Sequence, residues 1–384
     1  MINVLMVLYW LLLWFLFMTW GGYYLFLVVL DKIKSFNSVV QYNSKLSQKK
    51  PLLTVVIAAK NEEKNIVQRI NNLIDQNYPL DKLEIIVASD GSTDRTVLLS
   101  EEIGDQRIQI LDFKINRGRA VVHNEAVRSA NGEIVLFTDA ETEFEQGFLE
   151  KIVKPFQDPE VGAVVGRIVY SNALDSGVTA AAGRYWNYEA HLRLLESNLD
   201  MLSFATGACS AFRKILYQEL NPTEDIDYAQ TLNVIIQGYK IKMVPEARAI
   251  DLIAGEIKQT FKNRVRQTSR AFTSITARLF SHQILLRPPI FLSILFHKTL
   301  RHLTPFLLIA VLGLNAFLYN EGLIYTILLL TQISFYFLSV IGLLINENKN
   351  IPKILLLPSN FVLINIGRFF GVIKALSNKQ KATY

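Results

Sequence analysis

The 384-residue chain has a single cysteine, Cys209, so no disulfide can form within it, and this agrees with a reducing compartment. Its five histidines, His123, His191, His282, His297 and His302, show no metal-ligand spacing. That leaves each a structural or interfacial reading. Charged residues make up only 19% of the chain and apolar ones 51%, which excludes an ordinary soluble protein. Residues 3 to 30 carry no charge at all. No basic residue precedes that run and no A-x-A site follows it, so a retained membrane helix is predicted rather than a cleaved signal peptide. No nucleic-acid motif accompanies the net charge of +6. The Lys and Arg residues gather instead at "DKIK", "QKK", "FKNRVRQTSR" and "HKTLRH", beside apolar segments, and the partner they imply is a lipid bilayer and no nucleic acid.

The first apolar run exceeds the roughly 20 residues that span a bilayer. Three more follow at roughly 303 to 319, 322 to 345 and 353 to 375. The predicted organisation is an anchor over 1–31, a basic linker over 32–50, an α/β domain over 51–255, amphipathic or interfacial helices over 256–300, membrane helices over 301–376 and a basic tail over 377–384. Lys32, Lys34, Lys45, Lys49 and Lys50 all follow the anchor. By the positive-inside rule this predicts a multi-pass protein of the cell (inner) membrane with its α/β domain in the cytoplasm. The last run contains Arg368, and an odd number of C-terminal spans sets the basic tail outside. Either one run is interfacial or the charge rule is overridden.

Within the α/β domain, near-continuous apolar runs alternate with helix-like stretches: "LLTVVIA" (52–58), "LEIIVAS" (83–89), "RIQILDF" (107–113) and "EIVLFTD" (133–139). Runs of this length and character suit strands buried on both faces of a mostly parallel, Rossmann-like sheet. Ligands of such sheets bind beyond the carboxyl ends of the strands.

Those ends carry "AAKNEE" with Glu62, "SDGSTD" with Asp90, "NRGRA" with Arg117 and Arg119, and "DAE" with Asp139 and Glu141. Ser92, Thr93 and Asp94 read as helix caps. Asp90 reads as a ligand contact, because Gly91 supplies the tight turn and leaves the carboxylate facing the crevice. Asp139 and Glu141, one residue apart, suit a divalent metal, Mg²⁺ or Mn²⁺, that keeps open positions for phosphate oxygens. Glu143 and Glu145 read as solvated. The arrangement implies a bound diphosphate whose departure is helped by metal and cationic side chains.

Downstream, "PTED" starts a helix with Thr223 as a cap and Glu224 and Asp225 in the favourable field of its N-terminus. From Glu256 to Phe280 the residues Ile257, Phe261, Val265, Phe272, Ile275 and Leu279 keep one helical face. Gln267 and Arg270 share a face away from it. Lys258, Lys262, Arg264 and Arg266 lie on the polar side; the apolar stripe alone suits a core-packed helix equally, and the whole segment, followed by Pro288 and Pro289 and a membrane run, predicts an amphipathic helix at the bilayer surface. Tyr185 and Trp186 read as core or as the border of a site.

The motifs "AAKNEE", "SDGSTDRT", "NRGRAVVHNEAVRSANGEIVLFTDAE", "TGACSAFRK", "TEDIDYAQTLNVIIQGYK" and "QTSRA", in this order, resemble the family 2 inverting glycosyltransferases with a GT-A fold. The resemblance is to the membrane-integrated branch, with cellulose, hyaluronan and poly-N-acetylglucosamine synthases and ceramide glucosyltransferase. It implies that Ala58, Glu62 and Asp90 hold the nucleoside and that Asp139 and Glu141 form the DxD pair on ribose, metal and diphosphate. It also implies that Arg119, Gln267 and Arg270 serve the donor, Gly207, Ala208 and Glu224 the acceptor, and that Asp225 is the general base. Two positions depart from the family pattern: Glu141 stands where Asp is usual, which implies altered metal preference, and Ala271 replaces the Trp of QxxRW, which argues against processive synthesis.

The resulting expectation is a metal-dependent hexosyltransferase that moves sugar from a nucleotide sugar, a UDP-sugar in the first instance, to a hydroxyl of a lipid or membrane-associated glycan acceptor. The alternatives are a processive polysaccharide synthase, a non-catalytic nucleotide-sugar-binding membrane subunit, and a nucleotidyltransferase on a similar sheet.

Overall fold

The computed structural model describes residues 1–37, 50–172, 177–252, 257–345 and 352–377. Most of the basic linker with Lys45 and Lys49, the boundary at 253–256 and the basic tail from 378 lie outside the described residues. One sheet of eight strands organises the α/β domain: β1 (Leu53–Ala59), β2 (Leu83–Asp90), β3 (Ile108–Phe113), β4 (Ile134–Asp139), β5 (Glu143–Phe144), β6 (Val161–Tyr170), β7 (Ser210–Arg213) and β8 (Lys240–Asp251). Their order is β3-β2-β1-β4-β7-β6-β8-β5. The first four are parallel, β7 runs antiparallel to both β4 and β6, β8 is parallel to β6, and β5 pairs antiparallel with β8. Four strands follow the sequence prediction within a residue or two; the other half of the sheet is not predicted, although β6 carries the apolar run "VGAVVG".

Alternate residues of the central strands feed opposite cores, as the two-residue strand period requires. Val56, Ile86, Val135 and Phe137 pack on one face, where α5 (Arg119–Ser129) and α8 (Ile226–Ile236) lie. Val55, Ile57, Val87 and Leu136 pack on the other, against α3 (Ile66–Ile74) and α6 (Phe148–Val153). A short α4 (Thr96–Glu101) links β2 to β3, and α7 (Gly177–Asn198) follows β6. Since β1 is flanked by β2 on one side and β4 on the other, the chain direction switches there, and a crevice opens beyond Ala59 and Asp139.

Among the described residues, four helical stretches are long and apolar enough to cross a membrane: Ile2–Lys34, Pro288–Leu318, Leu323–Ile345 and Ile354–Leu376. The first is α1 (Ile2–Phe17) and α2 (Tyr23–Asn37) joined through a π-helical turn, Met18–Gly22. After α9 (Ile257–Thr276) and the short α10 (His282–Leu285), α11 (Pro288–Leu292) runs through the π-helical Ser293–Thr299 into α12 (Leu300–Leu318). The last two are α13 (Leu323–Ile345) and α14 (Lys353–Leu376).

The second span therefore starts some fifteen residues before the apolar run at 303. Its polar residues are buried against acids from α7. Glu189 accepts hydrogen bonds from Arg301 Nη1 at 2.6 Å, His297 Nε2 at 2.8 Å and Lys298. Glu196 accepts from Tyr23 at 3.0 Å and Ser293 at 2.8 Å. Charges that interrupt an apolar pattern are tolerated inside protein when their partners are there.

The predicted surface helix packs on both the α/β domain and a membrane helix. Ile275 and Leu279 join the core with Leu232 and Ile235 of α8, and Phe272 packs with Val372 of α14. A Cβ at Gly367 would stand 2.9 Å from Arg264 Cγ, and one at Gly371 would stand 2.6 Å from Thr268 Cβ. Two glycines four apart thus let α9 lie close along α14, the small-residue packing common between membrane helices. The stripe read as lipid-facing is, over the second half of the helix, a contact between the α/β domain and a membrane helix.

Candidate active site

The loops after β1 and β2 are stitched together before any ligand is considered. Asn61, at φ +57°, donates its N–H to Ser92 Oγ at 3.1 Å and accepts from the Thr93 N–H at 2.8 Å. Asp94 accepts from the backbone of Glu63 at 3.1 Å and of Thr96 at 3.0 Å, so of the three residues read as caps it alone meets an N–H at the start of α4, while Ser92 and Thr93 bond to Asn61. Glu62 donates its N–H to Thr96 Oγ1 at 2.7 Å and takes the Asn65 amide on its carboxylate at 2.8 Å.

Asp90 is 4% exposed, and its oxygens accept the Arg117 N–H at 2.6 Å and the Gly118 N–H at 3.1 Å. The carboxylate borders the crevice, as expected of it, while also holding the loop that precedes α5. Gly91 has φ +71°, and a Cβ there would lie 2.6 Å from Asn116 N, so the same loop presses directly on the turn.

That loop delivers Arg119, the first residue of α5, to Asp139 at the end of β4, where the two form an ion pair. Glu141 follows on the turn. Desolvation and the fields of Asp251, Asp139 and Glu62 raise its carboxyl above the usual range. Asp251, at the end of β8, is pushed up to about 6, chiefly by burial, with Asp139 adding to the effect. These oxygens are hard donors that repel one another, and a divalent cation would relieve that repulsion. Asp139 and Glu141 fit such an ion as a pair. Among the described residues no group of three or more His, Cys, Asp or Glu side chains is arranged to enclose one.

One cavity of about 1420 Å³ unites the crevice with the membrane helices. Ala58, Glu62, Asp90, Arg119, Asp139 and Glu141 line it at the sheet. Gln267, Arg264 and Arg266 enter from α9, Tyr185 and Trp186 from α7, and Trp20, Phe361 and Arg368 from membrane helices.

Other expected residues lie outside this lining. Gly207 and Ala208 are buried beneath it; Asp227 Oδ1 and Arg119 Nη2 lie 2.6 and 3.4 Å from where a Gly207 Cβ would be. Asp225 caps α8, its carboxylate accepting the Asp227 N–H at 3.4 Å. Glu224 is only 3% exposed and accepts from Arg278 at 2.5 Å and from the Asn221 N–H at 3.0 Å. Its acceptor-binding role gives way to an internal ion pair. Arg270 is buried, whereas Gln267, one turn earlier on α9, is exposed and lines the cavity.

Sequence reasoning passed over two acids. Asp251 ends a strand just as Asp90 and Asp139 do, a signal that was available. Asp227 lies two residues beyond Asp225. Burial first, and Asp225 second, hold its carboxyl well above the ordinary range, with Arg119 and Arg193 opposing.

A mostly parallel Rossmann-like sheet with acids at its strand ends, joined to one N-terminal and three C-terminal candidate membrane helices, defines a membrane-associated GT-A glycosyltransferase fold. Residues 54–220 match the family described as "Glycosyl transferase family 2". An N-acetylglucosaminyltransferase of Rhizobium meliloti (strain 1021) is 25% identical over 237 residues, which cover 57% of this chain and 54% of that protein. A poly-β-1,6-N-acetyl-D-glucosamine synthase of Staphylococcus epidermidis is 25% identical over 254 residues, 64% of this chain and 60% of that one. The chain thus spans little more than half the length of these relatives. Among solved structures, a mannosyltransferase from Pyrobaculum calidifontis in complex with GDP-Man and Mn²⁺ superimposes with a TM-score of 0.70 at 21% identity, covering 97% of this chain and all of that one.

Proposed function

We propose that this protein is an inverting, metal-dependent glycosyltransferase of the cell (inner) membrane, with its α/β domain in the cytoplasm. It takes a sugar from a UDP-linked donor and delivers it to a hydroxyl of a lipid or membrane-associated glycan. The observation that carries this reading is the single cavity running from Asp139 and Glu141 to residues of the membrane helices. A donor and a membrane-held acceptor can meet in it.

In this reading Ala58, Glu62 and Asp90 flank the nucleoside, and Arg119, Gln267 and Arg270 act towards the diphosphate. Asp225 takes the acceptor proton as the hydroxyl oxygen attacks the anomeric carbon, and the carbon–oxygen bond to the diphosphate breaks on the opposite face. Asp139 and Glu141 would hold a divalent ion, Mg²⁺ or Mn²⁺, which neutralises charge growing on the leaving diphosphate. Arg119 supplies cationic charge from the other side of Asp139.

Membranes carrying the protein are incubated with labelled nucleotide sugars and Mg²⁺ or Mn²⁺, and products are identified by mass spectrometry. The expected result is transfer of one sugar, abolished in Asp139→Asn. Release of pyrophosphate from a nucleoside triphosphate without sugar transfer would instead assign a nucleotidyltransferase, and binding without turnover would assign a non-catalytic subunit.

A processive synthase is the second reading, favoured by relatives named as poly-N-acetylglucosamine synthases. Ala271, where that branch resembled above has Trp, is fully buried, which favours single transfer. A ladder of products would establish the processive reading; a single adduct excludes it.

A further inference from the structure

The far limb of the cavity holds two cations that nothing in the transfer step uses. Arg368 lies inside the last membrane helix, is 3% exposed and lines the cavity. A charge at that depth is costly and marks a site of ligand or ion contact. Its Nη1 donates to Asn365 Oδ1 at 3.3 Å and its guanidinium stands over the Trp20 ring at 5.3 Å. Arg264 reaches the same place from α9, its Cγ packed over Gly367. Nε of each arginine is buried without a hydrogen-bond partner, and neither guanidinium has a carboxylate within 4.0 Å, among the described residues.

The contrast with Arg301 is informative. That equally buried arginine meets Glu189 at 2.6 Å. A like-charged pair beside a compensated arginine leaves an anion as the missing counterpart, because two uncompensated cations in a low dielectric repel strongly. Arginine forks match phosphate oxygens in particular.

Two phosphates are conceivable here, that of the donor and that of a lipid. The donor end of the cavity already has Arg119 beside Asp139 and Glu141. The limb around Arg368 is walled by Leu356, Leu357, Phe361, Leu363 and Ile364, all on α14. Such a wall suits a hydrocarbon chain and offers nothing to a nucleoside.

We infer that Arg264 and Arg368 form an anion site for the phosphate or diphosphate of a membrane lipid, with the lipid's apolar chain lying along α14. The inference rests on the transferase reading and names the acceptor class: a lipid anchored by its phosphate. It adds a binding contact and alters no bond made or broken in the transfer.

The test is native mass spectrometry of the full-length protein in neutral detergent, with polyprenyl phosphate, the matching polyprenol, phosphatidic acid, inorganic phosphate and UDP as probes. The expected result is saturable binding of a lipid phosphate at least tenfold tighter than polyprenol or inorganic phosphate. In Arg264→Gln and Arg368→Gln that preference is lost, while UDP affinity changes less than twofold. Tighter binding of polyprenyl phosphate than of phosphatidic acid identifies a carrier lipid as the source; the reverse identifies a bilayer phospholipid. Equal binding of polyprenol and polyprenyl phosphate overturns the site, as does a parallel loss of UDP in both variants, which would assign the arginines to the donor. The comparison of probes on the unaltered protein stands even if Arg368→Gln fails to fold. Consumption of a UDP-sugar, followed separately, keeps the two readings apart: if it persists without lipid-phosphate binding, only this inference fails, and if no nucleotide sugar is consumed the transferase reading fails.

Discussion

Arg119 and Asp139 form an ion pair across the mouth of the crevice, joining the first turn of α5 to the end of β4. The guanidinium thereby sits beside the carboxylate proposed to bind metal and diphosphate. Asp139→Asn removes one proposed metal ligand and leaves Arg119 without this partner. Turnover should fall by about 10²–10³, the size of loss seen when one preorganised electrostatic group is removed. Steady-state transfer with a labelled nucleotide sugar checks it.

Glu141 carries a sharper contrast. If it binds metal, Glu141→Asp keeps the oxygen donor and should retain activity with a changed Mg²⁺ to Mn²⁺ preference, whereas Glu141→Ala should lose it. Metal titrations of both variants decide; equal activity in the two would remove Glu141 from the metal site.

Asp225→Asn should bind UDP normally and lose transfer by about 10²–10⁴, the usual contribution of a general base. Calorimetric UDP binding alongside single-turnover transfer separates the two effects. Unchanged turnover would shift attention to Asp227, whose carboxyl faces Gly207 and Arg119.

Asp227 itself predicts a pH dependence of stability. Burial raises its carboxyl well above the ordinary range in the folded chain, so the native state retains a proton that the unfolded chain releases above about pH 4. The native state binds more protons there, and its stability falls as pH rises through that window. Asp227→Asn lacks the titration. It should melt at a higher temperature than the unaltered protein, by a margin that widens as pH rises above about 4, as read by thermal denaturation in detergent. A margin that shrinks with pH would mean that Arg119 and Arg193 keep the carboxylate ionised.

Glu189 is the hub on which His297, Lys298 and Arg301 converge. Glu189→Ala leaves buried Lys298 and Arg301 without their shared anion, a change that costs about 3–5 kcal/mol where a buried pair is broken. Thermal melts and size-exclusion profiles should show a strongly destabilised or aggregated protein. A variant that melts like the parent would mean that Glu196 takes over the network.

The sequence by itself determined the four parallel strands, because a strand buried on both faces must be apolar throughout, and "LTVVIAA" and "IVLFTD" announce that locally. It also determined that acids stand at strand ends, since Asp90 and Asp139 directly follow those runs. The membrane helices were legible for the same reason, length and absence of charge.

What only the tertiary structure decided is which side chain meets which across long stretches of chain. Glu224 and Arg278 are 54 residues apart, and no periodicity within one helix reports that they pair. The start of the second membrane span was hidden because its polar residues become acceptable only when Glu189 and Glu196 arrive from α7. The stripe of α9 looked like a bilayer-facing surface because an apolar face records burial and not the identity of its cover. Arg264 and Arg368, 104 positions apart by their numbers, meet only because Gly367 and Gly371 let two helices approach.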